Sequence, residues 1–167
     1  EIAVDMITAQ RAIDHLGQLA EAATTALHYE LVLVYRNSND NPSQNPIQIV
    51  KEVLKPIKKS EIVQQLKKIG ANKVWIDSVV LGKRQNSTPF IDTNIEGNQV
   101  FIHADQQKGN KKTLILDQLP RTILSTANAE NPTMVVAKQE MESWQLLQLE
   151  PAMLRSPDNI SYTETRK

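Results

Sequence analysis

The chain has 167 residues, no cysteine, and 19 Lys+Arg against 19 Asp+Glu. That length suffices for one domain with its own core, the lack of cysteine excludes disulfides and thiolate metal sites, and the charge balance excludes a global field drawing the molecule onto nucleic acid or an acidic membrane. The five glycines form no phosphate-binding pattern and no apolar run approaches the roughly 20 residues that span a bilayer, so P-loop and Rossmann nucleotide enzymes drop out, and so does a membrane partner. The expectation is a soluble, cytoplasmic protein. Glu1 in place of an initiating Met suggests a trimmed or excised segment.

Reading from the start, Ile2, Met6, Ala9, Ile13, Leu16, Ala20, Ala23 and Leu27 are spaced alternately by four and three, with Asp5, Gln10, Arg11, Asp14, Gln18 and Glu21 off this seam. Such a heptad pattern predicts one long amphipathic helix within residues 1–36, for dimerisation, for docking on a partner helix or for packing on its own domain. Tyr29 to Tyr35 is richer in β-branched and aromatic residues, so it reads as a last helical stretch or a strand. Residues 37–45, NSNDNPSQN, are polar and contain proline, the composition of a linker.

A helical pair is predicted next. Pro46 suits a first helical turn, Ile47, Val50, Leu54 and Ile57 follow at helical spacing, and Pro56 interrupts them. Ser60 then caps a second helix with Ile62, Val63, Leu66 and Ile69 as its apolar positions and Gly70 as its stop. Charge is uneven here. From Lys51 to Arg84 nine basic residues face three acidic ones, Glu52, Glu61 and Asp77. Lys55, Lys58, Lys59, Lys67, Lys68, Lys73, Lys83 and Arg84, with the hairpin loop Gly82 to Thr88, form a candidate nucleic-acid surface, since a basic helical pair followed by a β-hairpin is the outline of a winged-helix DNA reader. Such lysine runs are more often solvated faces, and few aromatics are at hand to stack bases.

The next stretch reads as sheet. Val74 to Leu81 alternates as a central strand that places Asp77 between Trp75 and Val79, where a buried carboxylate would need a partner. Strands either side of Glu96-Gly97-Asn98-Gln99 form a hairpin with Gly97-Asn98 as a two-residue loop, which sets Asp92 opposite His103. Ile91, Thr93, Ile95, Val100, Ile102 and Ala104 then share an apolar face. An Asp-His pair without a nucleophile elbow reads as a surface polar pair; His15 and His28 add no third ligand, so no metal site is predicted.

Strands at Leu114-Ile115-Leu116 and Met134 to Ala137, the second behind Asn131-Pro132, complete the sheet. Three antiparallel strands followed by a β-crossover-β unit resembles the ribonuclease H arrangement in topology, with no matching motif. That resemblance implies a metal-dependent nuclease built on Asp77, with Asp117 and Glu140 as companions. Met141, Trp144 and Leu147, with Leu146, suggest a C-terminal helix that stops before Pro151, with Trp144 in the core; residues 156–167 read as a loosely ordered tail.

The expected fold is α+β: a long N-terminal amphipathic helix over 1–36, a linker over 37–45, and over 46–155 a helical pair, a mainly antiparallel sheet and a C-terminal helix. The expected function is a non-enzymatic intracellular binding module that contacts nucleic acid through the lysine-rich helices and adjoining hairpin, with no cofactor. An assembly domain using the heptad helix, as a homodimer or with a protein partner, and the nuclease are the alternatives.

Overall fold

The computed structural model describes residues 1–36, 46–82, 88–105 and 111–145. The linker over 37–45, Lys83, Arg84, most of the 82–88 loop, Leu146, Leu147 and the tail over 156–167 lie outside the described residues. The fold is mixed α+β, but it begins with strands. No long N-terminal helix exists: β1 (Ile2–Ile7), β2 (Arg11–Ile13), β3 (Leu19–Glu21) and β4 (Ala26–Tyr35) occupy the first third.

The physical reason is that spacings of three and four also arise where short strands alternate and turn. Val4 and Met6 point one way from β1, while Ala3, Asp5 and Ile7 point the other. β1 pairs antiparallel with β4, with Met6 opposite Leu27 and Val4 opposite Tyr29. Between them β2 and β3 form a separate small hairpin, Ala12 opposite Ala20. Its turn is built by Asp14, whose Oδ1 accepts from the N–H groups of Leu16 and Gln18 at 2.9 and 2.8 Å, and by Gly17 at φ +78°, a left-handed conformation that favours glycine. Ile13 and Leu16, in the middle of the expected seam, are left exposed.

Tyr29 to Tyr35 resolves as strand. So does the stretch expected as the first helix of the pair: β5 (Ile47–Pro56) runs antiparallel to β4, with Val50 bulged where Val32 faces Lys51 and Leu33 faces Ile49. Pro56 ends that strand rather than interrupting a helix. The second predicted helix is present as α1 (Lys59–Lys68), with Ile62 and Leu66 buried. Lys58 rather than Ser60 occupies its cap position, and Gly70, at φ +85°, follows its end.

Val74 to Leu81 is overturned as a strand, because α2 (Lys73–Val79) occupies most of it. Asn72 caps this helix, its Oδ1 accepting from Trp75 N–H at 2.8 Å. The short helix buries Ile76 alone of its own residues, and its return to the sheet is fixed by two threonines. Thr25 donates its hydroxyl to Val79 O at 2.6 Å and accepts from Leu81 N–H at 2.8 Å, while Gly82 lies so close to Thr24 that a Cβ there would meet its Oγ1 at 3.0 Å.

The hairpin of β6 (Ile91–Asn94) and β7 (Gln99–His103) keeps its predicted faces but not its partners. Its loop has four residues, 95–98, with Asn98 at φ 49°, so Asp92 faces Phe101, and His103 instead lies opposite Lys111 of β8 (Lys111–Ile115). Asn94 decides this turn by accepting from Gly97 N–H at 3.1 Å. Asp117 lies just past β8 in the 3-10 turn Leu116–Gln118.

Met134 to Ala137 is likewise helix, within α3 (Pro132–Glu142), so the crossover strand and the ribonuclease H-like order are absent. Pro132 at its first turn was the available signal. Trp144 follows that helix and is exposed, not core.

The main sheet has the order β1-β4-β5-β6-β7-β8, antiparallel throughout. One face carries Met6, Leu27, Tyr29, Leu31, Leu54, Ile91 and Val100, and packs with the small hairpin, α3 and the connector 116–131 into the larger core. At one end of the other face, Ala26 packs with Ile62, Leu66, Ile76 and Val80 of the α1–α2 region in a smaller cluster. Elsewhere on that face polar pairs bridge neighbouring strands, Asp5 to His28 at 2.7 Å and Lys51 to Glu30 at 2.7 Å, beside apolar residues such as the buried Val53 opposite Glu30. Among the described residues no helix is long and apolar enough to cross a membrane.

Candidate functional site

Two regions stand out. The first is the α1–α2 corner. Lys55, Lys59, Lys67, Lys68 and Lys73 are exposed and have no ion pair among the described residues, whereas Lys58 reaches Glu61 only at 4.0 Å. Lys51, by contrast, is spoken for by Glu30. Lys67 and Lys68 fall in the last turn of α1, where cations complement the negative end of the helix dipole, so part of their placement serves the helix.

From the end of α1 into α2 the chain exposes apolar side chains. Ile69, just past α1, is 79 % exposed, and Val74 and Trp75 of α2 are 82 % and 46 % exposed, this short helix burying only Ile76. Among the described residues the exposed acids of this region are Glu61 and Asp77. The α1–α2 region therefore exposes both cationic and apolar side chains, Trp75 among them. A strand over Val74 to Leu81 hides the exposure of Trp75; the capping Asn72 before a short amphipathic stretch is the local signal that points to it.

The second region is the connector 116–131 on the larger core. It has little regular structure beyond two 3-10 turns, Leu116–Gln118 and Leu124–Thr126, yet carboxylates from two other segments hold it and a third holds the start of α3 that follows. Glu52 of β5 is fully buried; its Oε2 accepts from Ile123 N–H at 2.7 Å, and its Oε1 from Leu124 N–H at 2.8 Å and Tyr29 Oη at 3.3 Å. Asp14, in the small hairpin, accepts from Ala129 N–H at 3.1 Å through Oδ2. Asp105, after β7, accepts from Thr133 N–H at 2.9 Å and from the Thr133 hydroxyl, while Thr133 Oγ1 accepts from Ala23 N–H at 2.8 Å.

These surroundings move the acids in opposite directions. Burial pushes the Glu52 carboxyl above its ordinary range, and the Leu124 and Ile123 N–H groups with the Tyr29 hydroxyl oppose that only in part. The N–H of Gln18, helped by those of Leu16 and Ala129, holds Asp14 below the usual carboxylate range against its own burial. Burial, reinforced by the charge of Glu52, raises the Tyr29 hydroxyl. These roles are not legible in the sequence, where Glu52 is one acid of a basic run; only the β4–β5 register turns it inward beside Leu31.

Beside the connector lies a cleft of about 960 Å³, floored by Ile102, Ile123 and Met134, with Lys112 on the sheet side and Glu130 on the connector side.

The carboxylates expected for metal chemistry sit on three separate elements. Asp77 is exposed on α2, Asp117 is exposed in a 3-10 turn, and Glu140 on α3 accepts from Trp144 Nε1 at 3.2 Å. Among the described residues no group of three His, Asp or Glu could hold a metal ion. No protein-family model, curated protein or solved structure matches the chain.

Proposed function

We propose that the protein is a non-enzymatic binding module that contacts nucleic acid through the α1–α2 corner. The observation that carries this reading is the exposed Trp75 at the corner whose lysines, Lys67, Lys68 and Lys73, have no ion-pair partner among the described residues. Lysines neutralise phosphates by counterion release, which is independent of sequence. The exposed indole of Trp75, on the same short helix as Lys73, offers a face on which an unpaired base stacks, a contact worth about 1–3 kcal/mol per base. Lys55, Lys58 and Lys59 extend the cationic surface toward the start of α1.

The outline differs from a winged-helix reader. The first of its two expected helices is β5 and the expected first hairpin strand is α2, so the helical pair is α1 with α2 and the hairpin that follows is β6–β7. Phosphate contact with stacking is what the corner offers, and single strands suit it better than duplex.

Fluorescence anisotropy of labelled single-stranded and duplex oligonucleotides at low salt tests the reading. Single strands are expected to bind more tightly than duplex, with Trp75→Ala and the combined Lys67→Gln, Lys68→Gln, Lys73→Gln variant each weakening the complex about tenfold or more. Absence of binding at low salt, or unchanged binding in both variants, overturns it.

A further inference from the structure

The sheet face that buries Val100 and half-buries Ile102 and Leu114 continues, by strand alternation, onto Lys112, which lies opposite Ile102 in the β7–β8 register. A lysine on the core-facing side of an edge strand is out of keeping with its neighbours. Here it lines the cleft together with Ile102, Ile123 and Met134, and with Glu130 from the connector. Lys111 also lines the cleft, but its ammonium sits 3.2 Å above the Phe101 ring. Asp105 is turned to α3, its Oδ2 accepting from Thr133. That leaves one cation on the sheet wall and one anion on the connector wall. Among the described residues no ion pair joins them.

The wall bearing Glu130 is preformed. The N–H groups of Ile123, Leu124 and Ala129 are each held by a carboxylate from a distant segment, Glu52 or Asp14, and α3 is held by Asp105 through Thr133. A wall fixed before binding lowers the ordering cost of capture. The volume, about 960 Å³, lies in the range of small-molecule sites and exceeds the needs of a single ion.

We infer that this cleft binds a small zwitterion with an apolar body, of the class of short apolar peptides, its carboxylate on Lys112, its ammonium on Glu130 and its side chains on Ile102, Ile123 and Met134. Asn131, whose side chain does not cap α3, supplies an amide at the same wall for a peptide group. The inference is independent of the nucleic-acid reading, since the cleft and the α1–α2 corner share no residue.

Titration calorimetry of the full chain with three probes tests it: the dipeptide Leu-Leu, its N-acetyl derivative and its C-terminal amide. Leu-Leu is expected to bind saturably, and loss of either charge to weaken binding about tenfold, as for one charge-assisted hydrogen bond. Lys112→Gln and Glu130→Gln are each expected to weaken Leu-Leu to the same degree. The amide should be indifferent to the first substitution and the acetylated peptide to the second, while Lys68→Gln changes nothing. Lysines facing inward on edge strands also serve to block strand-to-strand association, and this supplies the competing outcome. If Lys112→Gln binds Leu-Leu as the parent does and self-associates in sedimentation, the lysine is an edge guard and the proposal falls. No saturable binding of Leu-Leu, or equal affinity for all three probes, overturns it as well.

Discussion

The connector side of the sheet and the α1–α2 corner use charge in opposite ways. On the connector side, Glu52, Asp14 and Asp105 are turned inward and bonded to backbone N–H groups of segments far away in sequence. At the corner, Lys67, Lys68 and Lys73 are turned outward with no ion pair among the described residues. A buried charge without partners is costly, so a carboxylate that sits inside must be holding something. An exposed lysine carries no such obligation, and its charge stays available to a partner. The first region is therefore expected to govern stability, and the second binding.

The largest effect should come from Glu52→Ala. It leaves the N–H groups of Ile123 and Leu124 and the Tyr29 hydroxyl without their acceptor in the core, at a cost of about 3 kcal/mol or more in urea denaturation. A loss below about 1 kcal/mol would mean that the connector does not depend on this carboxylate.

The pH dependence sharpens the point, since the two acids pull in opposite senses. The folded value of Glu52 is raised, so the stabilisation linked to its protonation is fully present below its ordinary value of 4.5 and is lost as pH rises through the folded value. The Tm advantage of the parent over Glu52→Gln should therefore shrink as pH is taken from about 4 to about 8. Asp14 behaves conversely. Its folded value is lowered, so its contribution is present above the ordinary value of 3.8 and is lost as pH falls through the folded one. Asp14→Ala should flatten the acid limb of the Tm profile and speed amide exchange at Leu16, Gln18 and Ala129, a smaller effect than that of Glu52→Ala.

The smallest effect on stability is expected at the corner. The double variant Lys67→Gln, Lys68→Gln should leave Tm unchanged, yet lower the slope of log binding constant against log salt by about one for each lysine that touches a phosphate. A large fall in Tm would show that these lysines serve the fold, and the contrast between the regions would fail.

How far the sequence carried the reading follows from the range of the forces involved. α1 was legible because its apolar positions Ile62 and Leu66 and its stop at Gly70 are local features. The faces of the β6–β7 hairpin were legible because strand alternation is local too. Its register was not, because Asn94 bonds Gly97 and lengthens the loop to four residues, moving Asp92 away from His103. Of the candidate surface, the excess of lysine was visible in the sequence. Trp75 as an exposed member of it was not, since alternation in Val74 to Leu81 fits a strand as well as it fits a short helix that buries Ile76 and is followed by buried Val80.

The sequence by itself therefore determined the uneven distribution of charge, the α1 helix with its apolar stripe and the two-faced hairpin, because each is set within a few neighbouring residues. Only the tertiary structure decided that the first third is strand rather than a heptad helix. Spacings of three and four fit either conformation, and pairing Met6 with Leu27 and Tyr29 with Leu54 outweighs any local helical preference. The same long-range pairing turned Glu52 inward against the connector and left the lysines of α1 and α2 facing water.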